Sequence, residues 1–78
     1  MRMSQVMVNR RLVETTVVEM LSRNGAQDYP SLLRFMKDRF EEVTEEELDR
    51  ALMILEIRGI LRVYSATKDK QRVELVRG

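Results

Sequence analysis

The sequence predicts a small α+β domain in which three helices precede a two-stranded β-hairpin. Two observations support this fold class. Apolar residues recur at helical spacing in three successive segments before residue 58, and the apolar period changes to two after Gly59. A chain of 78 residues has room for one domain, so residues 1–78 are treated as a single unit.

The first helix is predicted to begin at Asn9 or Arg10 and to end at Asn24. Its apolar stripe consists of Val13, Val17, Met20 and Leu21. Asn24 and Gly25 form a stop signal, because both residues tolerate the backbone that ends a helix. Residues 1–8 leave several alternatives open: a disordered or arm-like terminus, a short strand or an early helical turn.

The second helix is predicted to begin after Asp28 and to run to about Phe40. Asp28 is a suitable N-cap, and Pro30 suits the first turn because its missing N–H would be unpaired there anyway. The shared apolar face consists of Tyr29, Leu32, Leu33, Met36 and Phe40. Residues 26–29 form the connection before this helix, with room for a few extended residues.

The third helix has the clearest sequence signals. Thr44 and Glu47 have the spacing of a capping box, and Val43 with Leu48 fits a hydrophobic staple. Its apolar stripe consists of Leu48, Ala51, Leu52 and Leu55. Gly59 stands where a helix end favours a left-handed residue, so we expect the helix to stop there.

Two short strands are predicted after Gly59. Leu61 and Val63 alternate with polar or aromatic residues, and Val73 and Leu75 do the same. The residues between the strands are polar and contain no glycine, which indicates an open loop of four to six residues.

The composition excludes several classes of function. The chain contains no cysteine and no histidine, so zinc sites built from these residues and Ser-His-Asp or Cys-His catalysis are excluded. We therefore expect no enzyme, cofactor, metal or small-molecule substrate. No apolar segment is long enough for a signal peptide or a membrane span, so a cytoplasmic protein is expected. Charged residues make up 35% of the chain, which is compatible with a thermophilic source.

The net charge is only +1, but the charges are unevenly distributed. Seven carboxylates and one arginine lie between residues 38 and 49, whereas five basic residues and one aspartate lie between residues 58 and 72. The carboxylates precede or open the third helix, where the helix dipole favours negative charge. They therefore need no catalytic or cation-binding explanation, and the basic hairpin is the better candidate for a polyanion.

The end of the third helix and the hairpin resemble the winged-helix variant of the helix-turn-helix fold. The residues that carry the resemblance are Leu48, Ala51, Leu52, Leu55, Gly59, Ile60 and Leu61, with Val63, Val73 and Leu75 in the hairpin. They resemble the pattern that ends the third helix in many bacterial and archaeal regulators, and the resemblance spans residues 10–76. It implies a DNA-binding protein, a transcriptional regulator that acts as a dimer, with the hairpin as the wing.

The resemblance places the third helix in the major groove of double-stranded DNA. Its exposed positions would be Glu45, Glu46, Asp49, Arg50 and Met53, three of which are carboxylates that phosphates repel. Arg50 follows Glu46 by four residues, which favours an ion pair within the helix. We therefore expect the wing to make the main contact with DNA. The predicted DNA-binding residues are Lys68, Lys70, Arg72, Arg62, Arg50, Arg10 and Arg11, and the alternative is a solvated loop without a nucleic-acid partner.

Three apolar residues of the third helix, Met53, Ile54 and Ile57, fall outside its apolar stripe. In the resembled regulators these positions are usually polar. An exposed apolar patch would indicate contact with a second copy or another protein, so a protein-interaction module is the alternative function. The other interpretation is that Ile54 and Ile57 pack under the second helix or the hairpin.

Overall fold

The computed structural model describes residues 10–64, 67 and 70–76, and for Arg10 it describes the backbone alone. The elements in chain order are α1 (Arg10–Asn24), β1 (Gln27–Asp28), α2 (Tyr29–Arg39), α3 (Glu45–Ile57), β2 (Leu61–Tyr64) and β3 (Arg72–Leu75). The predicted α+β class, the three helices and the hairpin are confirmed. Residues 1–8 and Lys68 lie outside the described residues.

The predicted start of α2 and the end of α1 are confirmed by their hydrogen bonds. Gly25 has a φ of 80°, and its N–H donates to the carbonyl of Leu21 at 2.9 Å. Asp28 has an extended backbone, and its Oδ1 accepts from the N–H of Ser31 at 2.9 Å. One bond pairs a carbonyl in the last turn of α1, and the other pairs an N–H in the first turn of α2. Such groups have no partner within their own helix, so the two bonds fix where α1 ends and where α2 begins.

α3 is bounded at both ends by local motifs. Thr44 Oγ1 accepts from the N–H of Glu47 at 3.2 Å, and Glu47 Oε1 accepts from the N–H of Thr44 at 2.9 Å, which confirms the capping box. At the other end Gly59 has a φ of 78°, and the N–H of Ile60 donates to the carbonyl of Leu55 at 2.9 Å. This is a Schellman ending, and it turns the chain directly into β2.

The three strands form one antiparallel sheet in the order β1-β3-β2. Leu61 lies opposite Leu75 and Val63 opposite Val73, so the apolar residues of the hairpin share one face. β1 joins the other edge of β3, with Gln27 opposite Val73. The sequence predicted only an extended connection at β1, because a strand of two residues is too short to show a period.

The core lies between the three helices and the inner face of the sheet. Its buried apolar members are Val13, Val17, Met20, Leu21, Tyr29, Leu32, Met36, Val43, Leu48, Ala51, Leu52, Leu55, Leu61 and Val73. Leu33 and Phe40 are only partly buried and pack against this cluster. All three helical stripes therefore face inward as predicted, and the opposite side of α3 faces solvent.

Candidate functional site

Tyr29 connects three elements at one end of the domain. It lies at the start of α2 with only 4% of its surface exposed. Its N–H donates to the carbonyl of Gln71 at the loop end of the hairpin, at 2.9 Å. Its hydroxyl donates to Oδ1 of Asp49 in α3 at 2.6 Å. The loop end of the hairpin, the start of α2 and the first half of α3 are therefore held together.

The hydroxyl of Tyr29 remains a donor over the whole physiological range. Burial raises its pKa well above the ordinary value of a tyrosine, and the hydrogen bond to the carboxylate of Asp49 raises that pKa further. The sequence indicated Tyr29 only as a member of an apolar stripe, because a single sequence does not show which residue a phenol will meet twenty positions away.

The predicted exposed positions of α3 need one correction. Glu45, Glu46, Arg50 and Met53 are exposed, but Asp49 is half-buried. Asp49 accepts the hydrogen bond from Tyr29, so its carboxylate is directed toward α2 and not straight outward. Arg50 is exposed, and no ion pair joins it to Glu46 in the part of the chain that the structure describes. The ion pair expected from their spacing is thus not formed.

The outer face of the hairpin carries both signs of charge. Arg62 lies opposite Glu74, and Tyr64 lies opposite Arg72. The hydroxyl of Tyr64 lies 3.4 Å from Oε2 of Glu74, to which it donates. The sequence suggested a basic hairpin, but the pairing register places a carboxylate beside Arg62. Glu74 therefore offsets part of the positive charge over the strands.

A second carboxylate lies beside Arg72. Asp28 is the residue of β1 that pairs with Arg72. Hydrogen bonds from Ser31 lower the pKa of Asp28, and the positive charges of Arg34 and Arg72 lower it further. Arg34 was not among the predicted site residues, although it is exposed and close enough to act on Asp28. The sequence feature that could have identified Arg34 is its position on the polar side of the second helix.

Three of the predicted basic residues lie at opposite ends of the hairpin. Lys70 and Arg72 are exposed at the loop end of the hairpin. Arg11 instead lines an open groove of about 440 Å³ at the other end of the hairpin, together with Leu55 and Ile60. β2 runs between these two ends over about 10 Å. The structure therefore does not bring Arg11 next to the hairpin loop, and the side chain of Arg10 is not described.

The outward side of α3 is partly apolar. Glu46, Arg50, Met53 and Ile57 follow one another at spacings of four, three and four residues, which places them on one line opposite the buried stripe. We call this line the α3 outer face. Met53 is 55% exposed and Ile57 is 78% exposed, whereas Ile54 at its edge is half-buried. Ile57 therefore does not pack under α2 or the hairpin.

Neither a metal-binding cluster nor a membrane-spanning helix occurs among the residues that the structure describes. No group of three or more acidic residues is arranged to hold a metal ion there. No helix of that part of the chain has both the length and the apolar character that a bilayer crossing requires.

The comparisons with known proteins add no relative. No protein-family model, no curated protein and no solved structure matches the chain.

Proposed function

We propose that this chain is a winged-helix domain that binds duplex DNA, with the loop end of its hairpin as the main contact. The order of the three helices and the hairpin, α1-α2-α3-β2-β3, supports the proposal. Three helices followed by a hairpin are what the resemblance at the end of the third helix implies.

The DNA-binding proposal rests on two hydrogen bonds that Tyr29 makes, to Gln71 and to Asp49. Through these bonds, the loop end of the hairpin is fixed beside the start of α2 and the first half of α3. In helix-turn-helix proteins the recognition helix lies in the major groove with its first residues at the base edges, and the helix before it crosses the DNA backbone. Exposed cations lie on each of these elements: Lys70 and Arg72 on the hairpin, Arg34 on α2 and Arg50 on α3.

The charges limit the kind of DNA contact that we propose. Glu45 and Glu46 are exposed at the start of α3, so a phosphate backbone is repelled there. Lysines and arginines near the loop would instead neutralise phosphates, which positions a protein without reading the bases. The proposed mode is therefore binding of the DNA backbone with little preference for sequence.

A salt titration of binding to a mixed-sequence duplex tests this proposal. The logarithm of the affinity should fall linearly with the logarithm of the salt concentration, by about 0.9 for each phosphate contacted. Lys68→Glu with Lys70→Glu should nearly abolish binding. The single substitution Lys70→Glu should weaken binding. Lys37→Glu makes the same change of charge on α2 and should leave binding unchanged, because Lys37 lies about 12 Å along the helix from Tyr29. Binding that the double substitution leaves unchanged would contradict the wing as the contact.

The exposure of Met53 and Ile57 favours a second candidate function, a protein-interaction module. Water-exposed apolar side chains next to one another on a helix are typical of a surface that a partner covers. Met53→Glu with Ile57→Glu should then abolish self-association or partner binding while the helix content stays intact. Sedimentation of the free protein measures self-association, and the DNA titration measures binding at the hairpin.

A further inference from the structure

We infer that Arg34 and Arg72 contact the phosphates of DNA together, and that the carboxylate of Asp28 beside them limits how strongly they bind. The inference rests on the DNA-binding function proposed above. It adds one arginine of α2 to the contact and assigns to Asp28 the role of weakening that contact.

Asp28 and Arg72 are neighbours across strands β1 and β3. The N–H of the next residue, Tyr29, donates to the carbonyl of Gln71 at 2.9 Å, so Tyr29 and Gln71 form a hydrogen-bonded pair. Hydrogen-bonded and non-hydrogen-bonded pairs alternate in an antiparallel ladder, and side chains are closer in the latter. Asp28 and Arg72 are therefore a non-hydrogen-bonded pair, and their side chains lie side by side on one face of the sheet.

The carboxylate of Asp28 is held at this position by the helix that it caps. Its Oδ1 accepts from the N–H of Ser31 at 2.9 Å. Hydrogen bonds from Ser31 lower the pKa of Asp28 most, and the positive charges of Arg34 and Arg72 lower that pKa further. Asp28 is therefore ionised at neutral pH, and its negative charge acts on both arginines in return.

Both guanidinium groups can still reach an external anion. Arg34 and Arg72 are exposed, and neither forms an ion pair in the part of the chain that the structure describes. Asp28 thus acts on them through its electric field and does not fix either side chain in one direction. The other carboxylate on this face of β3, Glu74, lies opposite Arg62, which offsets it. Two cations beside one carboxylate attract a phosphate, but less strongly than the two arginines would alone.

Asp28→Asn is the decisive substitution, because it removes the charge and keeps the cap. Asparagine caps helices as well as aspartate does, and its side-chain oxygen can accept from Ser31. The affinity of the full chain for a mixed-sequence duplex, measured by fluorescence anisotropy, should rise about 2- to 5-fold, the range for exposed charges. Asp38→Asn is the matched control, since Asp38 is exposed and lies about 15 Å further along α2. That distance exceeds the Debye length of about 8 Å at about 0.15 M salt, so this control should bind like the wild type.

Arg34→Gln and Arg72→Gln test the contact itself. Each should weaken binding and reduce the salt slope by about 0.9, the amount for one phosphate. Arg39→Gln is the control on α2, because Arg39 is exposed at the far end of the helix and lies over the ring of Phe35. Asp28→Asn added to Arg34→Gln with Arg72→Gln should no longer tighten binding. A purely structural effect of Asp28 would persist in that background, and circular dichroism should show unchanged helix content in every variant.

Each outcome decides the inference. Tighter binding by Asp28→Asn that disappears without the two arginines supports it. Unchanged or weaker binding by Asp28→Asn, or the same gain without the two arginines, overturns the role of Asp28. Full binding by both arginine variants overturns the contact, and loss of binding in Lys68→Glu with Lys70→Glu would then leave the proposed DNA-binding function standing. A wild type that does not bind the duplex overturns the inference together with that function.

Discussion

The two halves of α3 differ in how they are held. The first half is fixed by directional polar bonds: the capping box of Thr44 and Glu47, and the hydrogen bond from Tyr29 to Asp49. Buried apolar side chains anchor both halves, Leu48 in the first and Leu55 in the last. The last turn ends in backbone hydrogen bonds, and Ile57 faces water on its outer side. Within one helix, the residues that fix its position are thus separate from the residues that a partner could cover.

Substitutions in the two halves of α3 should therefore have different effects. A change in the first half alters the placement of α3 against α2 and the hairpin, and so it acts on stability and on any surface built at Tyr29. A change at Met53 or Ile57 removes surface without removing packing. The following substitutions test that separation, from the largest expected effect to the smallest.

The largest effect is expected for Leu55→Ala, compared with Ile57→Ala two residues later. Leu55 is 2% exposed, so its truncation should lower the free energy of unfolding by about 2–5 kcal/mol, because a cavity is left in the core. Ile57→Ala should change it by less than about 0.5 kcal/mol. Urea unfolding followed by circular dichroism measures both. A loss of similar size at Ile57 would show that its side chain is packed.

A smaller effect is expected for Tyr29→Phe, which keeps the buried ring and removes the hydroxyl. The free energy of unfolding should fall by about 1–3 kcal/mol, because the bond to Asp49 ends on a carboxylate. Asp49→Asn and the double variant complete a cycle that isolates this pair. Tyr64→Phe is the control, since its hydroxyl makes only a 3.4 Å bond at the surface. Additive effects of the Tyr29 and Asp49 variants would contradict the coupling.

The helices were predictable from the sequence because their signals are local. Each signal for a helix boundary acts within one turn: Thr44 with Glu47, Asp28 with Ser31, and Gly59. The structure contains all three boundaries. Contacts between distant segments were not predictable in this way. The pairing of β1 with β3 and the bond from Tyr29 to Asp49 depend on how the helices pack.

The same division applies to the candidate surfaces. Helical periodicity placed Met53 and Ile57 outside the buried stripe, but it left open whether Ile57 packs under α2 or the hairpin, and the structure shows Ile57 exposed. The charge balance of the hairpin did not follow from any local pattern. It depends on the register that places Glu74 opposite Arg62 and on a strand that brings Asp28 to Arg72.

The smallest effect is expected from the pH dependence of stability at Tyr29. Its pKa is raised in the folded chain, so above pH 10 the unfolded chain loses this proton while the folded chain keeps it. The unfolded state then binds fewer protons, and the free energy of unfolding falls as pH rises, by at most about 1.4 kcal/mol per pH unit from this group. Below pH 10 the contribution is fully present.

Unfolding free energies of the wild type and Tyr29→Phe between pH 8 and pH 11 should therefore converge as pH increases, whereas Tyr64→Phe should follow the wild type. Parallel curves for the wild type and Tyr29→Phe would mean that the hydroxyl reaches water, and that the first half of α3 is held less firmly than the 2.6 Å bond indicates.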